Sequence, residues 1–295
     1  MTLSVVIATK DRAEFLAGAL ASLDTQRDPP AFEVIIVDNG SQDGTADLAR
    51  QVSQRTRYPL RYVFVREPNR AAARNAGIAQ AAGDIVAFVD DDVVLPPGFL
   101  AAHAAAHART PLAAAVSGPI LNVPRADARP KPSLANYSGA FFCTCNVSTP
   151  RAALLAVGAF DERFNMYGWE DTELGLRLRR SAVRRVFAWP AYLFHVKPPR
   201  IETLEVVLQK TVERAQMAAR LLRTDAGLRT KLATGAYAFN LWRSRLFAPA
   251  WSLASYRAVA QDERAPVVLR ALARAQYLDG AYRTALQRAL NDDSS

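Results

Sequence analysis

Short apolar runs and helical repeats alternate over the first two thirds of the chain. Residues 4–8 form an apolar run with β-branched residues, after which Phe15, Leu16, Ala19, Leu20 and Leu23 recur at helical spacing. Residues 33–37, 60–65 and 85–89 predict three more strands, with helices over 45–52 and 71–81 between them. Strands separated by helices predict a parallel sheet in an α/β domain. Both faces of such a sheet are covered, which suits the unbroken apolar runs Val34-Ile35-Ile36-Val37 and Ile85-Val86-Ala87-Phe88-Val89.

Polar residues enter abruptly where three of these strands end. Thr9-Lys10-Asp11, Asp38-Asn39-Gly40-Ser41 and Asp90-Asp91-Asp92 follow the first, second and fourth strands. Open α/β sheets bind ligands outside the carboxyl ends of their strands, so these groups are expected to converge on one edge. Pro96-Pro97-Gly98 then starts a helix over 99–109. Residues 116–123 and 141–148 predict two further strands, with a mobile loop over the proline-rich 124–133 between them. Residues 201–223 and 228–290 read as helices, which divides the chain into an α/β domain over 1–199 and a helical region over 200–295.

Composition narrows the class. The 295 residues are 50% hydrophobic and 22% charged, which excludes a disordered, collagen-like or disulfide-scaffold chain. Two cysteines cannot form a disulfide framework, and a reducing, cytoplasmic compartment is the expectation. No uninterrupted apolar stretch is long enough to span a bilayer, and the first residues lack the basic and apolar regions of a signal peptide. The net charge of +9 is uneven: residues 196–295 hold 16 Lys and Arg against 9 Asp and Glu. Such a basic region suits an anionic lipid surface, nucleic acid or an anionic substrate, or is a set of solvated helix faces.

Asp90-Asp91-Asp92 is either a solvated acidic turn or a site where a divalent cation neutralises adjacent carboxylates; oxygen ligands suit Mg²⁺ or Mn²⁺. Asp38 is either a capping residue of the turn that follows or a partner for a nucleobase. Neither a GxGxxG nor a GxxxxGK[ST] motif is present. Arg70 and Arg74 share a helix face and are suited to phosphate. Gly168-Trp169-Glu170-Asp171 opens a helix whose dipole stabilises acidic groups. Trp169 also offers a flat face to a sugar ring, and Asp171 can take a proton from an attacking hydroxyl. His195 is either a core or surface residue or a third ligand beside an Asp-bound metal. Cys143 and Cys145, placed on one face of the strand over 141–148, read as small buried residues.

Together these motifs resemble the family 2 glycosyltransferases over about residues 3–195. The segments that carry the resemblance are Ser4-Val5-Val6-Ile7-Ala8-Thr9, Val37-Asp38-Asn39-Gly40-Ser41-Gln42-Asp43-Gly44-Thr45, Ala73-Arg74-Asn75-Ala76-Gly77 and Gly83-Asp84. The DxD element Asp90-Asp91-Asp92, Gly158-Ala159-Phe160-Asp161-Glu162 and Gly168-Trp169-Glu170-Asp171 complete it. The resemblance implies the GT-A fold, a Rossmann-like, mostly parallel mixed sheet, here with a C-terminal helical extension. It implies a hexosyltransferase that moves a sugar from a nucleotide diphosphate donor, most often UDP, to an acceptor hydroxyl with inversion, using Mn²⁺ or Mg²⁺. By the same resemblance Thr9, Asp38, Arg74, Asp84, Asp90 and Asp91 would bind the donor nucleotide, and Asp92 and His195 the metal. Asp171 would be the catalytic base, and Trp169 and Glu170 would contact acceptor or donor sugar.

The Gly-Trp-Glu-Asp segment is similar to that of galactosyltransferases, which suggests a galactose-type donor. The chain lacks the Gln-x-x-Arg-Trp motif of processive synthases. The alternatives are a retaining transferase on the same fold or a catalytically silent nucleotide-sugar binding protein. Nucleic acid is not an expected partner, because the basic region lacks the interleaved aromatics of a single-strand platform. Tyr237, Phe239, Leu241, Trp242, Leu246, Phe247, Trp251, Leu253 and Tyr256 interleave with Arg243, Arg245 and Arg257. This pattern suits peripheral contact with an anionic membrane, an acceptor cleft, core packing or a homodimer.

Overall fold

The computed structural model describes residues 1–199, 202–240, 242 and 250–292. The chain divides into two compact units, Met1–Asn165 with Glu170–Arg200, and Met166–Trp169 with Ile201–Ser295.

The first unit begins as a regular α/β alternation: β1 (Leu3–Thr9), α1 (Ala13–Asp24), β2 (Phe32–Asp38), α2 (Thr45–Ser53), β3 (Leu60–Phe64), α3 (Arg70–Gln80) and β4 (Ile85–Val89). It continues with β5 (Val93–Val94), α4 (Phe99–Ala108), β6 (Ala114–Ser117), β7 (Ile120–Val123), β8 (Asn146–Pro150), α5 (Arg151–Ala156), α6 (Glu170–Arg180), β9 (Arg184–Phe187) and β10 (Leu193–Val196). A seven-stranded sheet has the order β3-β2-β1-β4-β8-β6-β9, and a three-stranded sheet the order β5-β10-β7. Within the larger sheet only β8 runs antiparallel to its neighbours.

The two-residue period of the strands builds the core on both faces. Val5, Ile7, Val34 and Ile36 pack with Leu16, Leu20 and Leu23 of α1 on one side. Val6, Ile35, Val37 and Phe88 pack with Ile78 of α3 and Leu174 and Leu178 of α6 on the other. Each such side chain contributes about 1.5–3 kcal/mol by leaving water, and the polar residues buried near the starts of β1 and β2, Ser4 and Glu33, satisfy each other at 2.7 Å.

Two sequence expectations are corrected here. The strand expected over 116–123 is two strands in different sheets. Gly118 separates them, and a Cβ there would stand 1.9 Å from the Ala191 carbonyl oxygen, so only glycine lets the chain pass. The strand expected over 141–148 begins only at Asn146. Cys143 and Cys145 therefore lie in the turn before β8, not on a strand face; Cys145 is buried and Cys143 partly so.

In the second unit α7 (Leu204–Thr224) is capped by Thr203, whose hydroxyl accepts from the Val206 N–H. The helix expected over 228–290 is interrupted. α8 (Leu228–Thr234) ends at Gly235 in the left-handed region, and α9 (Leu253–Gln261) and α10 (Val267–Asn291) follow. Ala215, Ala218, Ala219 and Leu222 of α7 pack with Leu286 of α10 and with Trp169. Of the aromatic and basic pattern read from the sequence, Leu241, Arg243, Arg245, Leu246 and Phe247 lie outside the described residues; Phe239, Trp242 and Trp251 are exposed. Among the described residues no helix is long and apolar enough to cross a membrane.

Candidate active site

Register brings the polar groups together. Thr9 pairs with Asp38, and Ile7 with Val89, so Thr9, Asp38 and Asp90 emerge along one edge of the sheet. The antiparallel β8 pairs Asn146 with Val89, so the residues just before it start at the edge where the parallel strands end. Thr144 and Cys145 reach the edge by this route. In the smaller sheet His195 pairs with Val93, which sets it beside Asp92.

Asp84 is the exception among the residues expected to bind the donor. It precedes β4 rather than following it, and accepts from the backbone N–H and the hydroxyl of Thr2, just ahead of β1. That is the opposite edge of the sheet, so the structure corrects its expected place beside the nucleotide residues.

At the carboxyl edge the acidic triplet is closely held. Thr9 Oγ1 donates to Asp91 Oδ2 at 2.7 Å, and the two Nη atoms of Arg12 reach Asp91 Oδ1 at 2.7 Å and Asp92 Oδ2 at 2.9 Å. Burial pushes Asp91 up to about 6, against the pull of Arg12 and Thr9. Burial acts on Asp92 too, but His195 and Arg12 outweigh it and hold this carboxyl below its ordinary value. Sequence reasoning missed Arg12; its place three residues past the end of β1 was the available signal.

Asp92 Oδ1 is buried and faces His195 Nε2 at 2.9 Å, the contact that does most to lower this carboxyl. A buried carboxylate oxygen and a ring nitrogen held this close form the kind of donor pair a divalent cation can bridge. Ligand atoms of Asp90, Cys145 and His195 also lie within 4.8 Å of one another. The residues present thus fit a divalent cation.

The second acidic group sits at the start of α6. Arg74 Nη1 donates to Glu170 Oε1 at 2.9 Å and is 3.8 Å from Asp171 Oδ1. Asp171 Oδ2 accepts from the Thr144 N–H at 2.9 Å and from its hydroxyl at 3.0 Å. Burial, with the charge of Glu170, pushes Asp171 up to about 6 against Arg74 and the Thr144 bonds. Burial opposes the charge on Arg74, but Asp171, Glu170 and Asp90 more than restore it. One guanidinium is thus in the field of both Asp90 of the DxD element and Asp171. Thr144 was invisible from sequence, because it acts through a turn that was read as strand.

Asp38 is buried, accepts from the Ser41 N–H at 2.7 Å and receives the Tyr62 hydroxyl at 2.6 Å, a partner the sequence did not suggest. Trp169 has a positive φ of 76° after Gly168 at 90°. Its indole N–H donates to the Arg214 carbonyl, and the Arg214 guanidinium lies over the ring, so one face is already engaged within the second unit.

An open α/β sheet whose carboxyl edge gathers carboxylates, an arginine and a histidine is a nucleotide-binding architecture with acid–base capacity. Residues 4–153, half of the chain, match the family described as glycosyl transferase family 2, and the chain belongs to that family. Validoxylamine A glucosyltransferase of Streptomyces hygroscopicus subsp. limoneus is 32% identical over 221 residues, covering 61% of this chain and 48% of the relative. Glycosyltransferase AglE of Haloferax volcanii is 41% identical over 92 residues, 30% of each chain. The chain spans about half the length of the first of these relatives. Among solved structures, a mannosyltransferase from Pyrobaculum calidifontis in complex with GDP-Man and Mn²⁺ superposes with a TM-score of 0.66 at 21% identity, over 99% of this chain and 88% of that one. S. aureus TarS in complex with UDP-GlcNAc gives 0.55 at 20% identity, over 99% and 92%. The fold is GT-A.

Proposed function

We propose that the protein is a metal-dependent, inverting glycosyltransferase that moves a sugar from a nucleotide diphosphate donor, UDP, to an acceptor hydroxyl. The observation that carries this reading is the place of Arg74, which pairs with Glu170 at 2.9 Å, stands 3.8 Å from Asp171 and lies in the field of Asp90. Its support in the family is a glucosyltransferase relative, and on the same fold a chain in complex with GDP-Man and Mn²⁺.

Asp92 and His195 would hold the cation, which when bound supplies charge neutralisation for the departing diphosphate. Thr9, Asp38, Asp90 and Asp91 line the edge where the nucleotide would lie, and Arg12 balances Asp91 and Asp92. Asp171 is the base. Both Thr144 donors fix its Oδ2, and a carboxylate raised to about 6 remains ionised at neutral pH while accepting a proton more readily than an ordinary Asp. Glu170 is engaged by Arg74 and holds the guanidinium beside Asp171. Trp169 would meet the acceptor or donor sugar. Gly168-Trp169-Glu170-Asp171 favours a galactose-type donor. The exposed Phe239, Trp242 and Trp251 are suited to peripheral contact with an anionic membrane, which liposome co-sedimentation tests.

A thermal-shift screen of UDP- and GDP-sugars with Mn²⁺ and Mg²⁺ tests the donor, with stabilisation by a UDP-hexose only in the presence of the cation as the expected result. NMR of the product anomer then tests inversion. A retained anomer would identify a retaining enzyme, and binding with no donor consumption under any acceptor extract a silent binding protein.

A further inference from the structure

Three aromatic rings stay near the surface where β9 leaves the larger sheet. Tyr137 and Phe187 meet edge to face at 4.9 Å between centroids, and Phe187 and Trp189 at 5.1 Å. Tyr137 is 54% exposed and Trp189 39%. β9 is parallel to β6, which like β4 is antiparallel to β8, so Phe187 and Trp189 emerge at the same carboxyl edge as Thr9, Asp38 and Asp90. Register also fixes the face. Arg185 pairs with Ala115, which packs with Leu174 and Leu178 of α6, so Arg185 and Phe187 lie on the side of the sheet that α6 covers. Asp171 stands at the start of that helix. β9 is two strands from β8, about 10 Å along the edge.

The rings are held in place. Arg185 donates to the carbonyls of Ser138 and Ala140 and to the Tyr137 hydroxyl, and its guanidinium lies over the Tyr137 and Phe187 rings. The turn that carries Trp189 is closed by the Ala191 N–H on the Ala188 carbonyl at 3.0 Å, and buried Asn146 donates to the Ala191 carbonyl at 2.8 Å. Asn146 follows Thr144 by two residues, and Thr144 fixes Asp171, so one stretch of chain anchors both the base and the rings. Core packing would hide such rings; a surface array fixed by buried polar bonds is a preorganised binding face. Because Arg185 directs its N–H groups at its own chain, the array presents ring surface and the Trp189 indole. That suits a neutral sugar, whose C–H face lies against aromatic rings while its hydroxyls keep hydrogen-bond partners.

We propose that Tyr137, Phe187 and Trp189 form an acceptor subsite that stacks on a sugar ring beyond the one being glycosylated. The inference rests on the reading of Asp171 as the base. With the reacting hydroxyl at Asp171, an acceptor that also reaches the rings must continue along the edge toward β9, a distance that a short saccharide spans and a single sugar does not. The acceptor is therefore a saccharide of at least two rings.

The test is saturation-transfer NMR on the full chain with UDP and Mg²⁺ present, using lactose, cellobiose and maltose as probes against galactose and glucose. UDP affinity is measured alongside by calorimetry. The expected result is transfer to both rings of at least one disaccharide in the native protein. Its affinity falls at least about fivefold in Trp189→Ala and in Tyr137→Ala and is kept in Trp189→Phe. Affinity for the single sugars and for UDP is the same in all four proteins. Equal disaccharide affinity in the native protein and Trp189→Ala would overturn the subsite, as would UDP binding with no disaccharide bound, and either leaves the transferase reading standing. Loss of a native dimer in Trp189→Ala, with disaccharide affinity unmoved, would assign the rings to a contact between copies and overturn it too. Absence of UDP binding to the native protein would overturn the donor reading and this inference with it. Tyr137 and Trp189 are exposed, so the substitutions leave the core intact.

Discussion

Arg74 Nη1 lies 3.8 Å from Asp171 Oδ1 while it donates to Glu170. The guanidinium pulls Asp171 toward ionisation as burial pushes the other way. Arg74→Ala removes that pull, so the acid limb of the activity profile should move to higher pH. It also leaves Glu170 and Asp171 without their cation, at a cost of about 3–5 kcal/mol for a broken buried pair. A pH–rate profile together with thermal melting checks both. An unmoved acid limb would mean that Arg74 does not tune Asp171.

In the native protein activity should fall as pH drops through about 6, because a protonated Asp171 cannot accept the acceptor proton. Stability changes in the opposite sense. Asp171 and Asp91 have folded values of about 6 that lie above the ordinary carboxylate value. The folded state therefore binds more protons between about pH 4 and 6, and the contribution of these two groups to stability declines as pH rises through that window. The pH dependence of melting in Asp91→Asn and Asp171→Asn, compared with the native protein, reads this directly.

Arg12 should be replaceable in part by a metal. Without it, buried Asp91 and Asp92 face each other unbalanced, and Arg12→Ala should lose about 2 kcal/mol, less than a fully buried pair because its side chain is 39% exposed. Mn²⁺ should raise the melting temperature of Arg12→Ala more than that of the native protein. Equal shifts would argue against a cation at Asp92.

Asp84 and Asp38 separate the two edges of the sheet. Asp38→Ala should weaken UDP binding, since Asp38 is buried at the carboxyl edge. Asp84→Ala should leave it unchanged, since Asp84 contacts Thr2 at the far edge. Calorimetric titration of UDP into both variants checks this pair.

The strands β1, β2 and β4 and their polar ends were legible because their central residues are buried and mostly apolar, and Thr9, Asp38 and Asp90 mark where that run stops. Asp84 stands immediately before the strand predicted over 85–89, so its place at the amino end was legible, and only the resemblance set it beside the nucleotide. Thr144 and Cys145 were hidden for a different reason. They reach the site through an antiparallel strand whose start depends on long-range pairing, and the apolar run Phe141-Phe142 suggested that the strand began earlier. Pairing between Arg12 and the triplet spans 79 residues in sequence and has no local signature. The break at Gly118 follows from close packing against Ala191, a contact that exists only in the folded chain.

The most direct test is turnover of a UDP-hexose with Mn²⁺ by the native protein and by Asp171→Asn, with donor affinity measured alongside. The account predicts unchanged donor affinity and a rate lower by about 10²–10⁴ in Asp171→Asn. Turnover near the native rate, with the donor bound equally well, would contradict it.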